Sequence, residues 1–81
     1  MKKLLTKKRL RNELMDKYES ALMGKTLWYD SWMRYLNARE PEEIKPEVKE
    51  YMTKYCFDFY QYYKGQVNAY DEMIEVLDEF I

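Results

Sequence analysis

The sequence predicts an all-α protein built as two long antiparallel helices, a helical hairpin. Three observations lead there. Apolar residues recur at three and four along both halves of the chain rather than at two, which is the helical period and not that of a strand. The stretch N-A-R-E-P-E-E-I-K-P-E is the one convincing break. Residues 1 to 11 carry Lys2, Lys3, Lys7, Lys8, Arg9 and Arg11 with no acid, whereas residues 71 to 81 carry Asp71, Glu72, Glu75, Asp78 and Glu79 with no base. Each cluster sits at the unfavourable end of its own helix dipole, and an antiparallel hairpin compensates both by bringing the ends together.

The first helix is expected over about residues 4 to 38. Leu10, Leu14, Tyr18, Ala21, Leu22, Trp28, Tyr29, Trp32, Tyr35 and Leu36 share one side, flanked by Leu4, Met15 and Met33. Gly24 interrupts this stripe and could end the helix as a C-terminal cap. Continuity is the better expectation, because the phase of Leu10, Leu14 and Ala21 is still kept at Trp28 and Trp32. The connection, about residues 39 to 46, follows from its prolines. Pro41 disfavours helical geometry at Glu40, and Pro46 suits a first helical turn, with Glu47 and Glu50 favourable to the dipole. A short helical turn is expected at 41 to 45.

The second helix is expected over about residues 47 to 80. Val48, Tyr51, Met52, Tyr55, Phe59, Tyr62, Tyr63, Tyr70, Met73, Ile74, Leu77 and Phe80 lie on one side, and Cys56, Val67, Ala69 and Val76 widen it. The apolar arc reaches roughly half the circumference, where an ordinary surface helix shows a stripe of about 100° or somewhat more. Glu50, Lys54, Gln61, Asn68, Glu72, Glu75 and Glu79 hold the remainder. One partner helix cannot cover so broad an arc, so self-association into a four-helix bundle, a homodimer, or burial against a target protein is expected.

Length and composition narrow the class. The 81 residues, 47% apolar and 36% charged, make one small folding domain near the lower limit for a self-sufficient core. One cysteine and no run of apolar residues long enough to span a bilayer point to the reducing cytoplasm. The start M-K-K-L-L superficially resembles a secretory n-region, but Thr6, Lys7, Lys8, Arg9 and Arg11 interrupt any apolar core of such a signal.

Catalytic and cofactor readings find little support. The chain has no histidine, the commonest general base and zinc ligand. Cys56 lies within the apolar arc, which favours a structural thiol over a nucleophile. G-K-T at Gly24 to Thr26 matches the tail of a phosphate-binding loop, but Glu19 stands where its first glycine belongs and no strand precedes it. Asp71, Glu75, Asp78 and Glu79 have spacings that gather carboxylates on one helix face, yet nothing supplies a rigid oxygen cage. The reading is of a non-enzyme with no metal and no cofactor.

Two binding readings remain. Large aromatics dominate interface energetics, so Trp28, Trp32, Tyr60, Tyr62 and Tyr63 are the candidates for contact with a protein target, with core packing as the alternative role of each. Lys2, Lys3, Lys7, Lys8, Arg9 and Arg11 are the candidates for nucleic-acid phosphates in a second reading, a nucleic-acid-associated regulator. Against it stand a net charge of −1 and the distance between the basic cluster and the aromatics. The same basic helix could lie on an anionic membrane surface, but few leucines would enter it, and no membrane role is expected. The acidic end could instead mimic phosphates toward a basic protein groove.

Gly24 and Gly65 each open a G-x4-Y-D pattern with a leucine further on. In a hairpin they fall at nearly the same height, where two missing side chains would let the backbones approach closely. The alternative is that each glycine only relieves crowding from Trp28 or Tyr62. The segments A-L-M-G-K-T-L-W-Y-D-S-W-M-R-Y-L and Y-Y-K-G-Q-V-N-A-Y-D-E-M-I-E-V-L resemble a pattern of small helical proteins of phages and mobile elements of low-GC Gram-positive bacteria. In those proteins a helix carries Tyr or Phe, then Gly, then an Ala/Tyr and Ile/Leu stripe. The resemblance spans roughly half the chain. It implies an accessory protein that binds and inhibits or regulates a host protein, of anti-defence type, acting in the host cytoplasm; it transfers no functional residues.

Overall fold

A computed structural model describes residues 2–79, with side chains described for residues 6–79. The side chains of Lys2, Lys3 and Leu4, and all of Phe80, lie outside the described residues. The chain forms α1 (Lys2–Leu36) and α2 (Pro46–Glu79), packed against each other as a hairpin, and no strand occurs among the described residues. α1 runs through Gly24 without interruption.

The boundaries differ slightly from expectation, for local reasons. α1 stops at Leu36 rather than at 38 because its last turn tightens: the Asn37 amide still bonds the Met33 carbonyl at 3.0 Å, but the Ala38 amide turns to Tyr35 at 3.3 Å. α2 starts one residue early, at Pro46, where the missing N–H costs nothing. The connection is closely tied. The Glu43 amide bonds the Arg39 carbonyl at 2.9 Å, and the Arg39 amide donates to Glu43 Oε2 at 3.2 Å. Lys49 Nζ reaches back to the Ala38 carbonyl at 2.9 Å and to Glu40 at 3.7 Å. A cation thereby meets the negative end of α1.

The covered positions follow a heptad rule. In α1, Lys7, Arg11, Leu14, Tyr18, Ala21, Lys25, Trp28, Trp32 and Tyr35 alternate steps of four and three and are all at least half-buried. In α2 the same alternation runs through Lys49, Thr53, Cys56, Tyr60, Tyr63, Val67, Tyr70, Ile74 and Leu77. This is the seam of an antiparallel two-helix coiled coil. Its buried members are small: Ala21, Cys56 and Val67.

Such a shape hides little. The molecule measures 63 × 14 × 13 Å with a radius of gyration of 18.2 Å, against about 12 Å for a globular chain of this length. Its accessible surface is 6726 Å², where a globular chain of this mass exposes about 5,300 Å².

Candidate interaction surface

The seam divides each helix's broad apolar arc into a covered edge and an open remainder. Tyr51, Tyr55, Phe59, Tyr62 and Met73, on the apolar side of α2 that is too broad for one partner helix to cover, are exposed, and the buried residues are Cys56 and Val67 from the margin of that arc. The reason is steric. Two helices pack most closely where side chains are small, so Ala21, Cys56 and Val67 fix the line of contact, and Tyr51, Tyr55, Phe59 and Tyr62 fall to its flank.

Around the loop-proximal half the rings form two sets, one on each side of the seam. On one side Trp28 stacks on Phe59 at 4.7 Å between centroids and meets Tyr55 edge-on at 5.8 Å, and Tyr55 continues to Tyr51 at 6.0 Å. On the other, Trp32 contacts Phe57 at 5.0 Å, Tyr60 at 5.8 Å and Tyr29 at 5.9 Å. Each good ring pair contributes about 0.5–1.5 kcal/mol beyond its buried area.

The five aromatic candidates therefore separate. Trp28, Trp32, Tyr60 and Tyr63 are half-buried and join the two helices. Tyr62 is 58% exposed. It meets Tyr63 edge-on at 5.2 Å, and its hydroxyl accepts a hydrogen bond from Gln66 Nε2 at 2.8 Å, which holds the ring outward beside α2. Along the same side of α2, Val48, Tyr55, Phe59, Met73 and Val76 are also exposed. The sequence puts these on an apolar side too broad for one helix to cover, but does not show which of its members stay open. Sequence reasoning left Phe57 unassigned; the three-and-four register of Thr53, Cys56 and Tyr60 puts Phe57 directly beside the seam.

The two glycines behave differently. A Cβ added to Gly24 would lie 2.6 Å from Cδ1 and Cε1 of Tyr63, so this glycine makes room for a ring rather than for the opposing backbone. A Cβ added to Gly65 would meet nothing within 4 Å. The expectation of a close helix approach at Gly65 is thus incorrect within the hairpin: Gly65 points away from α1.

The basic cluster is partly engaged. Arg11 Nε donates to Asp78 Oδ1 at 2.8 Å, with a second, longer contact of 3.5 Å to Oδ2. That hydrogen bond, with the attraction between the charges, raises the Arg11 pKa and joins the basic start to the acidic end. Arg9 pairs with Glu13 of its own helix at 3.7 Å, Lys7 is half-buried and Lys8 is exposed.

Cys56 is 1% exposed, and burial pushes its thiol pKa above the ordinary value. A thiol so placed is held neutral and shielded. No helix among the described residues is long and apolar enough to cross a membrane. An open apolar groove, lined by Leu10, Leu14, Ala69, Met73 and Val76 with Glu72 at its rim, runs along the hairpin's open end. No family profile, curated protein or solved structure matches the chain.

Proposed function

We propose that this protein is a non-enzymatic protein-binding module: two hairpins associate into a four-helix bundle, and the surface left over engages a protein target. Its uncovered apolar side chains carry this reading. Leu22, Met23, Leu27 and Tyr29 of α1 and Tyr51, Tyr55, Tyr62, Met73 and Val76 of α2 are all exposed. An apolar surface this extensive marks an interaction site in a soluble protein. The resemblance to phage and mobile-element accessory proteins supports, as the target, a host protein that is inhibited or regulated in the host cytoplasm, in the anti-defence manner. Lack of histidine and the shielded Cys56 favour binding over catalysis.

The nucleic-acid reading has weaker support, because the chain carries a net charge of −1 and Arg9 and Arg11 each have an acid beside them, Glu13 and Asp78, in exposed pairs. Sedimentation of the purified chain over a range of concentrations, with fluorescent-dye binding and affinity capture using the tagged protein, tests the main proposal. It predicts concentration-dependent mass or a stoichiometric target. A monomer at every concentration, with no dye bound and no protein captured, would refute it.

A further inference from the structure

We infer that a second copy of the chain docks on the exposed side of α2, with the two α2 helices antiparallel and a two-fold axis passing beside Tyr62. This inference rests on the self-association proposed above and gives it a location and an orientation.

Three independent observations meet on this face. The first is area. The hairpin exposes 6726 Å², about 1,400 Å² more than a globular chain of its mass. A standard interface hides about 800 Å² on each partner, so absorbing the excess takes an interface of nearly twice that size, in the range of obligate homodimers.

The second is self-complementarity. Val48, Tyr55, Tyr62, Ala69 and Val76 are spaced by heptads along one line of α2. Reversing that line about Tyr62 places Val48 opposite Val76 of the second copy, and Tyr55 opposite Ala69, a large residue against a small one. In the neighbouring line the same operation places Met52 opposite Met73. In the line that flanks Tyr62 on its other side it places Tyr51 opposite Glu72, where a phenolic hydroxyl can donate to a carboxylate, and Asp58 opposite Gly65. No like charges of α2 face one another along these lines. The operation also carries the protruding Val48 and Tyr51 at the loop end onto the apolar groove at the second copy's open end. An isologous contact requires this match of a surface with its own reverse.

The third is Gly65. A glycine inside a helix costs about 1 kcal/mol relative to alanine, and nothing in the hairpin uses the missing side chain, since the space around it is open. Gly65 and Ala69 lie one turn apart beside Tyr62, where two α2 helices would approach most closely.

The test compares the full chain with Gly65→Gln and Met23→Gln by sedimentation equilibrium, with helix content matched by circular dichroism. The Cβ that Gly65→Gln introduces meets nothing within 4 Å in its own chain, and the helix-propensity change favours folding. The inference expects a wild-type dimer, about tenfold or greater weakening in Gly65→Gln, and no change in Met23→Gln on the outer side of α1. In a second measurement, Tyr62→Cys should close an intermolecular disulfide with its own symmetry mate under mild oxidation, the native Cys56 being shielded. Dimers that are indifferent to Gly65→Gln, or that fail to cross-link at position 62, would overturn this placement and leave self-association standing. A wild-type chain that stays monomeric at every concentration overturns both, and assigns the face to a partner of different sequence.

Discussion

Replacing Gly24 by alanine should destabilise the hairpin, although the same change favours a helix almost everywhere else. The added methyl group would lie 2.6 Å from Cδ1 and Cε1 of Tyr63 and 3.0 Å from Cγ. Carbon atoms in contact prefer about 3.5–4.0 Å, so the ring has to retreat by about 1 Å. Turning the ring about its own axis does not help, because Cγ lies on that axis and is itself too close. Either the tyrosine leaves its rotamer or the helices separate locally. Overpacking of this kind costs about 1–3 kcal/mol, against about 1 kcal/mol gained in helix propensity. The balance is a loss of up to about 2 kcal/mol, and each kcal/mol lowers the midpoint by about 4–8 °C in a domain of this size.

The discriminating assay is a double-mutant cycle with Tyr63→Ala, followed by chemical denaturation at one matched protein concentration. Without the ring, Gly24→Ala should stabilise by about 1 kcal/mol, the propensity term alone. The sign reversal is the signature. Should Gly24→Ala stabilise the chain that still carries Tyr63, the steric account of this glycine is wrong.

Other perturbations follow from single side chains. The buried hydroxyl of Thr53 has no hydrogen-bond partner among the described residues, so Thr53→Val, of nearly the same shape, should stabilise by about 1 kcal/mol in urea titration. Cys56 has a raised pKa in the fold. Its contribution is fully present below the thiol's unfolded pKa and is lost as pH rises toward the folded one, because the unfolded chain then releases a proton the native state retains. Stability of the wild type should therefore fall more steeply than that of Cys56→Ala just above about pH 8.5, and the thiol should react with a disulfide reagent only as fast as the protein opens. Asp78→Asn removes the charged partner of Arg11; because the pair is exposed, the effect should be small, and it should vanish at about 1 M salt, where the screening length is about 3 Å.

Much of this architecture is legible in the chain because local signals agree. Two prolines bracket the turn, the apolar phase survives Gly24, and the opposed terminal charges announce that the ends meet, as Arg11 and Asp78 do. The direction of the seam was less accessible. When apolar residues occupy half of a helix, periodicity shows that a wide side exists but not which line within it touches the neighbour. Close packing decides that, and it favours Ala21, Cys56 and Val67, the least conspicuous members of the stripes. A search for a strict three-and-four alternation does not separate the covered line from the open one either, because Val48, Met52, Tyr55, Phe59, Tyr62, Ala69, Met73 and Val76 fit one such register and Thr53, Cys56, Tyr60, Tyr63 and Val67 fit another. The same consideration explains Gly65: pairing it with Gly24 by height ignored the side of the helix on which it lies.

The exposed rings follow from topology as much as from composition. Two helices in contact can each cover only one narrow line of the other, however long they grow, so lengthening a hairpin adds uncovered flank in proportion to covered seam. A third helix, or a second hairpin, changes that proportion by closing an interior. In this chain both arms are more than thirty residues long, yet only Ala21, Cys56 and Val67 are buried among the described side chains. Aromatic and methionine side chains on the remaining flank lose little conformational freedom or adapt readily when another surface arrives. Such a hairpin gains most of its further burial through association, which ties its stability to the concentration of whatever it binds.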